Sequence, residues 1–476
     1  MHLTRRTFFP AASAALLFQP QVFAATENWR ITQMTATDGS IYWQTEGWVD
    51  VPAFREQRDA KFKIAFVRIS FSEPAPKPKR SAHLVLAGGP GESGVSLVTN
   101  LAKRAGKAAF DLFGGDIVGM DQRGTGRSSP NLAVNLKYDL PLNEPGSVDA
   151  WRAPMSETVI LAKAKIKAQD IELSAFNSVE SAWDIDAVRR ELGYDTFTVW
   201  GRSYGSHLAL AYLRQCPAAV TKLVLIGPEG PDHTWKLPSQ FDAALFTLAR
   251  KAGYPSLEKD IRTVLSRLAA SPVTVPIAAT PATLATNVTI GTFDVQLLTA
   301  QAMGDSRSLV AIPAAYARML RGEFDQIGQL AFMYRRALSL QNAMKPAMDI
   351  MSGASKERLA RIDAEASQSI LGNAAGFPDY QMQDVWKLPD LGDAFRAPVV
   401  SDIPVLILAG DLDPRTPIQN ARDIAPDLSK CKIVEVLNAS HNFDVFGLAP
   451  VRAAIKTFLA GLDVPSQLTL SALNFP

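Results

Sequence analysis

Phe197, Thr198, Val199 and Trp200 run straight into Gly201, Arg202, Ser203, Tyr204 and Gly205, and an apolar helical pattern from Tyr204 to Arg214 follows at once. A short apolar run is what a strand buried on both faces looks like, and the run, the glycine-flanked serine and the helix together spell strand, sharp turn, helix. Glycines flank the serine because so tight a turn has no room for side chains, and the turn lifts the hydroxyl above the end of the sheet. Ser203 is therefore the candidate nucleophile.

Working outward, similar runs occur at His83 to Ala87, Ile117 to Met120, Leu223 to Ile226, Val405 to Leu408 and Ile433 to Leu437, each bounded by Gly or Pro. Helical patterns lie between them at Val179 to Leu192, Ile418 to Leu428 and Leu448 to Leu462. Alternating strands and helices predict an α/β fold with a mostly parallel, doubly wound sheet. Tyr42 to Val51 and Lys63 to Phe71, rich in β-branched and aromatic residues, predict an antiparallel start to it, with a Pro/Lys-rich turn from Glu73 to Arg80 leading onward. The alternation stops from about Pro228 to Pro398, where Gln240 to Ala252, Ser306 to Leu320 and Asp325 to Gln341 follow one another as helices. The expected organisation is a core of residues 25–227 and 399–476 carrying a mainly helical cap, residues 228–398.

A serine hydroxyl needs a neighbouring base, and the chain has five histidines. His2 belongs to the amino-terminal address described below, His83 opens a strand, His207 points into packing from the helix after Ser203, and His233 opens the cap. His441 remains, in the loop after the last apolar strand, where a doubly wound enzyme would carry its base. The imidazole in turn needs a carboxylate to fix its tautomer. Asp411 and Asp413 follow the strand Val405 to Leu408, and Asp413 is preferred because it lies deeper in the loop and precedes Pro414. Developing oxyanion charge needs pre-placed donors, for which the backbone N–H groups of Tyr204 and of Gly88 or Gly89 are the candidates, Gly89 foremost.

GGPG at Gly88 to Gly91, DQRGTGRS at Asp121 to Ser128, GRSYG at Gly201 to Gly205, GDLDPRTP at Gly410 to Pro417 and the late His441 together resemble the proline iminopeptidase and tripeptidyl aminopeptidase family of α/β-hydrolase serine peptidases. The resemblance spans roughly residues 60–230 and 395–460. It implies an α/β-hydrolase fold, release of N-terminal residues beneath a helical cap whose carboxylates bind the free amine, and no need of metal or cofactor. Glu229 and Glu323 are the amine-binding candidates. Asp121 and Arg123 then belong to a turn that braces the oxyanion loop. The chain departs from the family pattern at Ala87, Ser206 and Asn442, where histidine, glycine and glycine are usual.

The remaining composition narrows the class. With 476 residues, 47% apolar and 20% charged, the chain can bury a large core, and a formal net charge of +2 with no basic cluster interleaved with aromatics argues against a nucleic-acid partner. Thr4, Arg5, Arg6, Thr7, Phe8 and Phe9 form a twin-arginine pattern before a modest apolar run, with small residues ending at Ala24. Residues 1–24 are thus expected to be a signal peptide and the protein to be periplasmic or extracellular. No later run is long enough to span a membrane. Cys216 and Cys431 are expected to be buried thiols rather than a disulfide. Three functions compete: a peptidase, for which an acidic cap pocket would speak; an esterase or other small-molecule hydrolase on the same residues, favoured by an apolar pocket; and a silent binding protein, disfavoured because serine, histidine and acid are all present. The expected partner is a peptide or small-molecule substrate.

Overall fold

The computed structural model describes residues 21–25, 28–72, 81–281 and 284–476. The twin-arginine stretch and the turn Glu73 to Arg80 lie outside them. Among the described residues, eleven strands form one sheet: β1 (Gln21–Ala25), β2 (Trp29–Thr35), β3 (Ile41–Phe54), β4 (Gln57–Ser70), β5 (Ser81–Leu86), β6 (Ile117–Met120), β7 (Thr196–Ser203), β8 (Val220–Pro228), β9 (Ser401–Gly410), β10 (Leu428–Leu437) and β11 (Gln467–Thr469). Their order is β1-β2-β3-β4-β6-β5-β7-β8-β9-β10-β11. The meander β1 to β4 is antiparallel, as is its junction with β6, and every pairing from β6 to β11 is parallel. The expected α/β-hydrolase architecture is therefore the observed one. Residues Gln21 to Ala24 of β1 precede the expected cleavage point, but β1 ends the sheet, so cleavage there would leave β2 to β11 continuous.

The helices used below are α1 (Gly94–Phe113), α2 (Ser178–Glu191), α3 (Tyr204–Gln215), α4 (Thr292–Ala302), α5 (Met344–Ser352), α6 (Ile418–Ile424) and α7 (Ala449–Leu459). Because strand side chains alternate, the sheet feeds two apolar layers. Leu84, Leu86, Phe197, Val199, Leu223 and Leu225 meet α2 and α3 on one face, while Val85, Trp200, Val224 and Ile226 meet α1 and α7 on the other. Helix starts follow local chemistry: the Asn177 side chain accepts from the N–H groups of Val179 and Glu180, each at 3.0 Å, and so caps α2.

Between β8 and β9 the chain is mainly helical. It also holds a hairpin, Val273–Ile277 with Thr286–Ile290, that the sequence reading does not anticipate. The helix expected over Asp325 to Gln341 stops at Ala337, and Ser339–Asn342 instead pairs antiparallel with Ala133–Lys137. Trp151, on the helix Val148–Lys167, packs on Phe293 and Phe377. A stretch numbered with the core thus shares the cap's packing. Cys216 and Cys431 are free and half-buried, and burial pushes their thiols up to about 11 and about 12. No described helix is long and apolar enough to cross a membrane.

Candidate active site

β5, β7, β8, β9 and β10 all point their carboxyl ends at one edge of the sheet, where open α/β sheets place their ligands. Ser203 sits at the junction of β7 and α3 with φ 52° and ψ −126°, a conformation that side-chain-bearing residues rarely adopt. The glycines beside it are dictated by close approach. A Cβ on Gly201 would lie 2.4 Å from the Gly205 carbonyl oxygen, and one on Gly205 would lie 2.5 Å from that of Leu86. Ser206 also has work there. Its hydroxyl donates to the Ser203 carbonyl at 2.5 Å and accepts from the Glu229 N–H at 2.7 Å, tying the turn to the end of β8.

His441 Nε2 lies 3.1 Å from Ser203 Oγ, and its Nδ1 lies 2.9 Å from Asp413 Oδ2. Asp413 is 2% exposed. Burial alone would raise its carboxyl, but the adjoining His441 and hydrogen bonds from Thr416 outweigh that and hold it at about 2. The Thr416 hydroxyl donates to Asp413 Oδ2 at 2.6 Å and lies 3.0 Å from His441 Nδ1, so it steers both groups. Gly227, at the end of β8 with φ 55°, lies under the pair, and a Cβ there would come within 2.7 Å of Thr416 Oγ1 and 3.4 Å of Asp413 Oδ2. Sequence reasoning passed over both Thr416 and Gly227; the signals available were the threonine three positions after the acid and a glycine closing an apolar strand.

Asp411 faces elsewhere, accepting from the Asn438 N–H at 2.8 Å and from Lys251 Nζ at 2.8 Å, and so fastens the start of the His441 loop. The other described histidines are engaged in packing. His83 Nδ1 accepts from Trp200 Nε1 at 3.1 Å, His207 lies 3.2 Å from the Ser352 hydroxyl, and His233 lies 3.5 Å from Asp423.

On the opposite side of Ser203, Gly89 lines the cavity over the serine and Tyr204 opens α3, so its N–H belongs to the unpaired first turn of a helix. Gly88 packs beneath, where a Cβ would sit 3.2 Å from the Arg202 carbonyl oxygen. The loop is braced from the Asp121 turn. Asp121 Oδ1 accepts from Ser93 Oγ at 2.5 Å and from the Val95 N–H at 3.1 Å, while Thr125 Oγ1 donates to the Gly91 carbonyl at 2.6 Å. Arg123 is buried and grips Asp184 through two bonds of 2.8 Å. Both are scaffold in position, remote from the serine's open face.

A cavity of about 280 Å³ opens over Ser203 and His441. Trp235, Phe241 and Phe377 supply apolar wall, and six charged side chains join them: Glu229, Asp349, Asp379, Lys236, Lys345 and Arg415. Lys236 Nζ binds Glu229 Oε2 at 2.5 Å. Lys345 binds Asp349 at 2.9 Å and also Asp379, so two carboxylates share one ammonium. Burial raises the Glu229 carboxyl, but the Lys236 charge and the nearby His207 carry it below its ordinary range. At Asp349 burial prevails, with Asp379 and Glu229 adding to it against Lys345, and the carboxyl is pushed up to about 6.

Of the two carboxylates expected to bind an amine, Glu229 lines this cavity and Glu323 does not. Glu323 sits on the cap's outer surface with its side chain 41% exposed, bound to Arg321 at 2.7 Å and to Arg318 at 3.4 Å. The other two carboxylates that line the cavity are Asp349, on α5, and Asp379, which opens the short 3-10 turn Asp379–Met382 beyond a further helix, Lys356–Ala366, and nothing in their spacing distinguishes them from surface charges.

Comparison with known proteins adds the following. A family model described as the alpha/beta hydrolase fold matches residues 84–446. The chain is 30% identical over 165 residues to the serine protease Hip1 of Mycobacterium tuberculosis, covering 33% of this chain and 31% of that protein. It is 26% identical over 196 residues to the tripeptidyl aminopeptidase of Streptomyces lividans, covering 40% and 36%. It is also 28% identical over 155 residues to a probable proline iminopeptidase of Streptomyces coelicolor, covering 33% and 35%. The chain thus spans about a third of the length of the curated relatives it matches.

Proposed function

The chain belongs to the α/β-hydrolase fold family, and from that premise we propose that it is an exported serine aminopeptidase that releases N-terminal residues from short peptides through an acyl-enzyme. The observation that carries the reading is the continuous line Ser203, His441, Asp413, with contacts of 3.1 and 2.9 Å, opening into a cavity with three carboxylates. His441 takes the Ser203 proton as Oγ attacks the amide carbonyl carbon. The oxyanion that forms draws on the N–H groups of Gly89 and Tyr204. His441 then passes its proton to the leaving nitrogen as the C–N bond breaks, and Asp413 stabilises the imidazolium throughout. Water, deprotonated by the same imidazole, frees the acyl group. The substrate's α-ammonium seats against Asp349 and Asp379, whose two carboxylates share a single lysine, with Glu229 beside them. A free amine is attracted there because the cluster carries surplus negative charge.

An esterase reading also has an observation in its favour, since each of the three carboxylates already has a lysine partner. The two are separated by assaying the purified chain from Ala25 onward against aminoacyl and tripeptidyl amide reporters beside short-chain esters. The peptidase reading expects amide turnover that requires a free amine and falls by about 10⁴-fold or more in Ser203→Ala. Ester turnover alone would reject it in favour of the esterase. Export is tested apart from activity: with Arg5→Lys and Arg6→Lys together, the chain should stay uncleaved inside the cell, and undiminished secretion would refute the address.

A further inference from the structure

The six charged groups of the cavity are not equally engaged. Lys236 and Lys345 are bound to carboxylates, whereas Arg415 forms no ion pair among the described residues. Its guanidinium contacts the neutral Gln301 Oε1 at 3.2 Å. Two buried arginines, Arg123 and Arg335, are matched by Asp184 at 2.8 Å and Asp294 at 2.6 Å, whereas buried Arg68 forms no ion pair among the described residues and bonds Thr45 Oγ1 at 3.0 Å; Arg415 differs from Arg68 in lining the cavity over Ser203. A half-buried guanidinium left without an anion gives up hydration that only a new anionic partner can replace in full, and its planar fork fits a carboxylate.

The position of Arg415 is fixed from two sides. Its backbone N–H donates to Asp413 Oδ1 at 2.8 Å, so it is built into the loop that orients His441. Its guanidinium carbon lies 3.3 Å from where a Cβ on Gly304 would stand, and the Gly304 carbonyl accepts from the N–H of Asn442, next to His441, at 3.1 Å. The side chain is thus held beside the residue that must protonate the leaving group. Asp349 lies on α5, whose Met344 sulfur stands 3.8 Å from where a Cβ on Gly91 of the oxyanion loop would be, and Lys345 of the same helix joins it to Asp379. The lining cation that has no carboxylate partner among the described residues thus stands on the His441 side of the cavity, while the helix bearing Asp349 is placed against the oxyanion loop.

We propose that Arg415 is a carboxylate-binding subsite for the leaving group, so that the preferred substrates are short peptides whose free C-terminal carboxylate lies one or two residues beyond the cleaved bond. The cavity's volume, at the low end of the range for small-molecule sites, agrees with a short occupant. The assignment of a peptide rests on the aminopeptidase reading above; the assignment of an anion to Arg415 does not.

Two matched pairs of substrate test it: a dipeptide with a free carboxylate beside its C-terminal amide, and 4-acetoxybenzoate beside its methyl ester. In the unaltered chain kcat/KM should favour the acid of each pair by about tenfold or more, as a charge-assisted bond to a carboxylate is worth. Arg415→Gln should bring the ratio close to one through KM, and Arg415→Lys should restore part of it. A ratio near one in the unaltered chain, or a ratio that Arg415→Gln leaves intact, would overturn the proposal. Equal loss on both members would assign Arg415 to holding Asp413 instead. If esters turn over and peptides do not, the peptidase reading fails while the ester ratio still decides Arg415. If nothing turns over, the same ratio is read from binding of the acid and amide dipeptides to Ser203→Ala protein with and without Arg415→Gln.

Discussion

Asp411 and Asp413 leave the same strand end two residues apart, and their surroundings separate them. One binds Lys251 and the Asn438 N–H; the other is buried against His441 and Thr416. Asp413→Asn should therefore lower kcat by about 10⁴-fold by favouring the wrong imidazole tautomer, while Asp411→Asn stays within about tenfold and shows its effect in stability. Steady-state kinetics beside denaturation curves would reveal a reversed ranking. Asp349 gives the site a pH dependence of its own. Its carboxyl, raised to about 6, keeps its proton to higher pH than an exposed aspartate, so the acidic wall loses charge as pH falls through that value. Facing it are Lys345, Asp379 and Glu229. The preference for a free-amine over an N-acetylated substrate should shrink by about fivefold below pH 6, and Asp349→Asn should flatten the profile. A preference that rises on acidification would contradict the assignment. That Ser203 and His441 would meet was legible because a glycine-flanked serine after a strand is distinctive and histidines are few. That Glu323 lies outside the cavity over Ser203 was not legible, because a glutamate near a helix end reads alike whether it faces a cavity or two arginines.

At the scale of elements, the turn from β7 into α3 depends on contacts that no local pattern displays. A Cβ on Gly205 would stand 2.5 Å from the Leu86 carbonyl oxygen and 2.8 Å from that of Ala87, both backbone atoms of the neighbouring β5 and its loop. Neither can rotate away. Gly205→Ala should thus cost about 1–3 kcal/mol of stability and shift Ser203 relative to His441, seen as a lower urea midpoint together with lost turnover. An unchanged midpoint with full activity would mean that β5 and α3 are more loosely packed than described. The long core strands were legible because burial on both faces leaves continuous apolar runs. The hairpin Val273–Ile277 with Thr286–Ile290 and the strand Ser339–Asn342 were not, since such short strands take their conformation from partners distant in sequence.

Over the whole molecule, the sheet brings the carboxyl ends of its parallel strands to one edge, and residues of the mainly helical stretch between β8 and β9 line the cavity above it. The residues that meet there are numbered from Gly89 to His441. The core order was readable from alternating runs and helices, whereas which cap charges face inward depends on the folding of the cap, including its packing with Trp151. The central claim is that this assembly makes Ser203 a nucleophile served by His441. The most direct test is the intact mass of the chain after rapid quenching with an activated acyl ester, followed by mapping of the modified peptide. A single acyl group on the peptide containing Ser203, strongly reduced in His441→Ala, is the predicted result. Acylation at another residue, or equal acylation without His441, would contradict it.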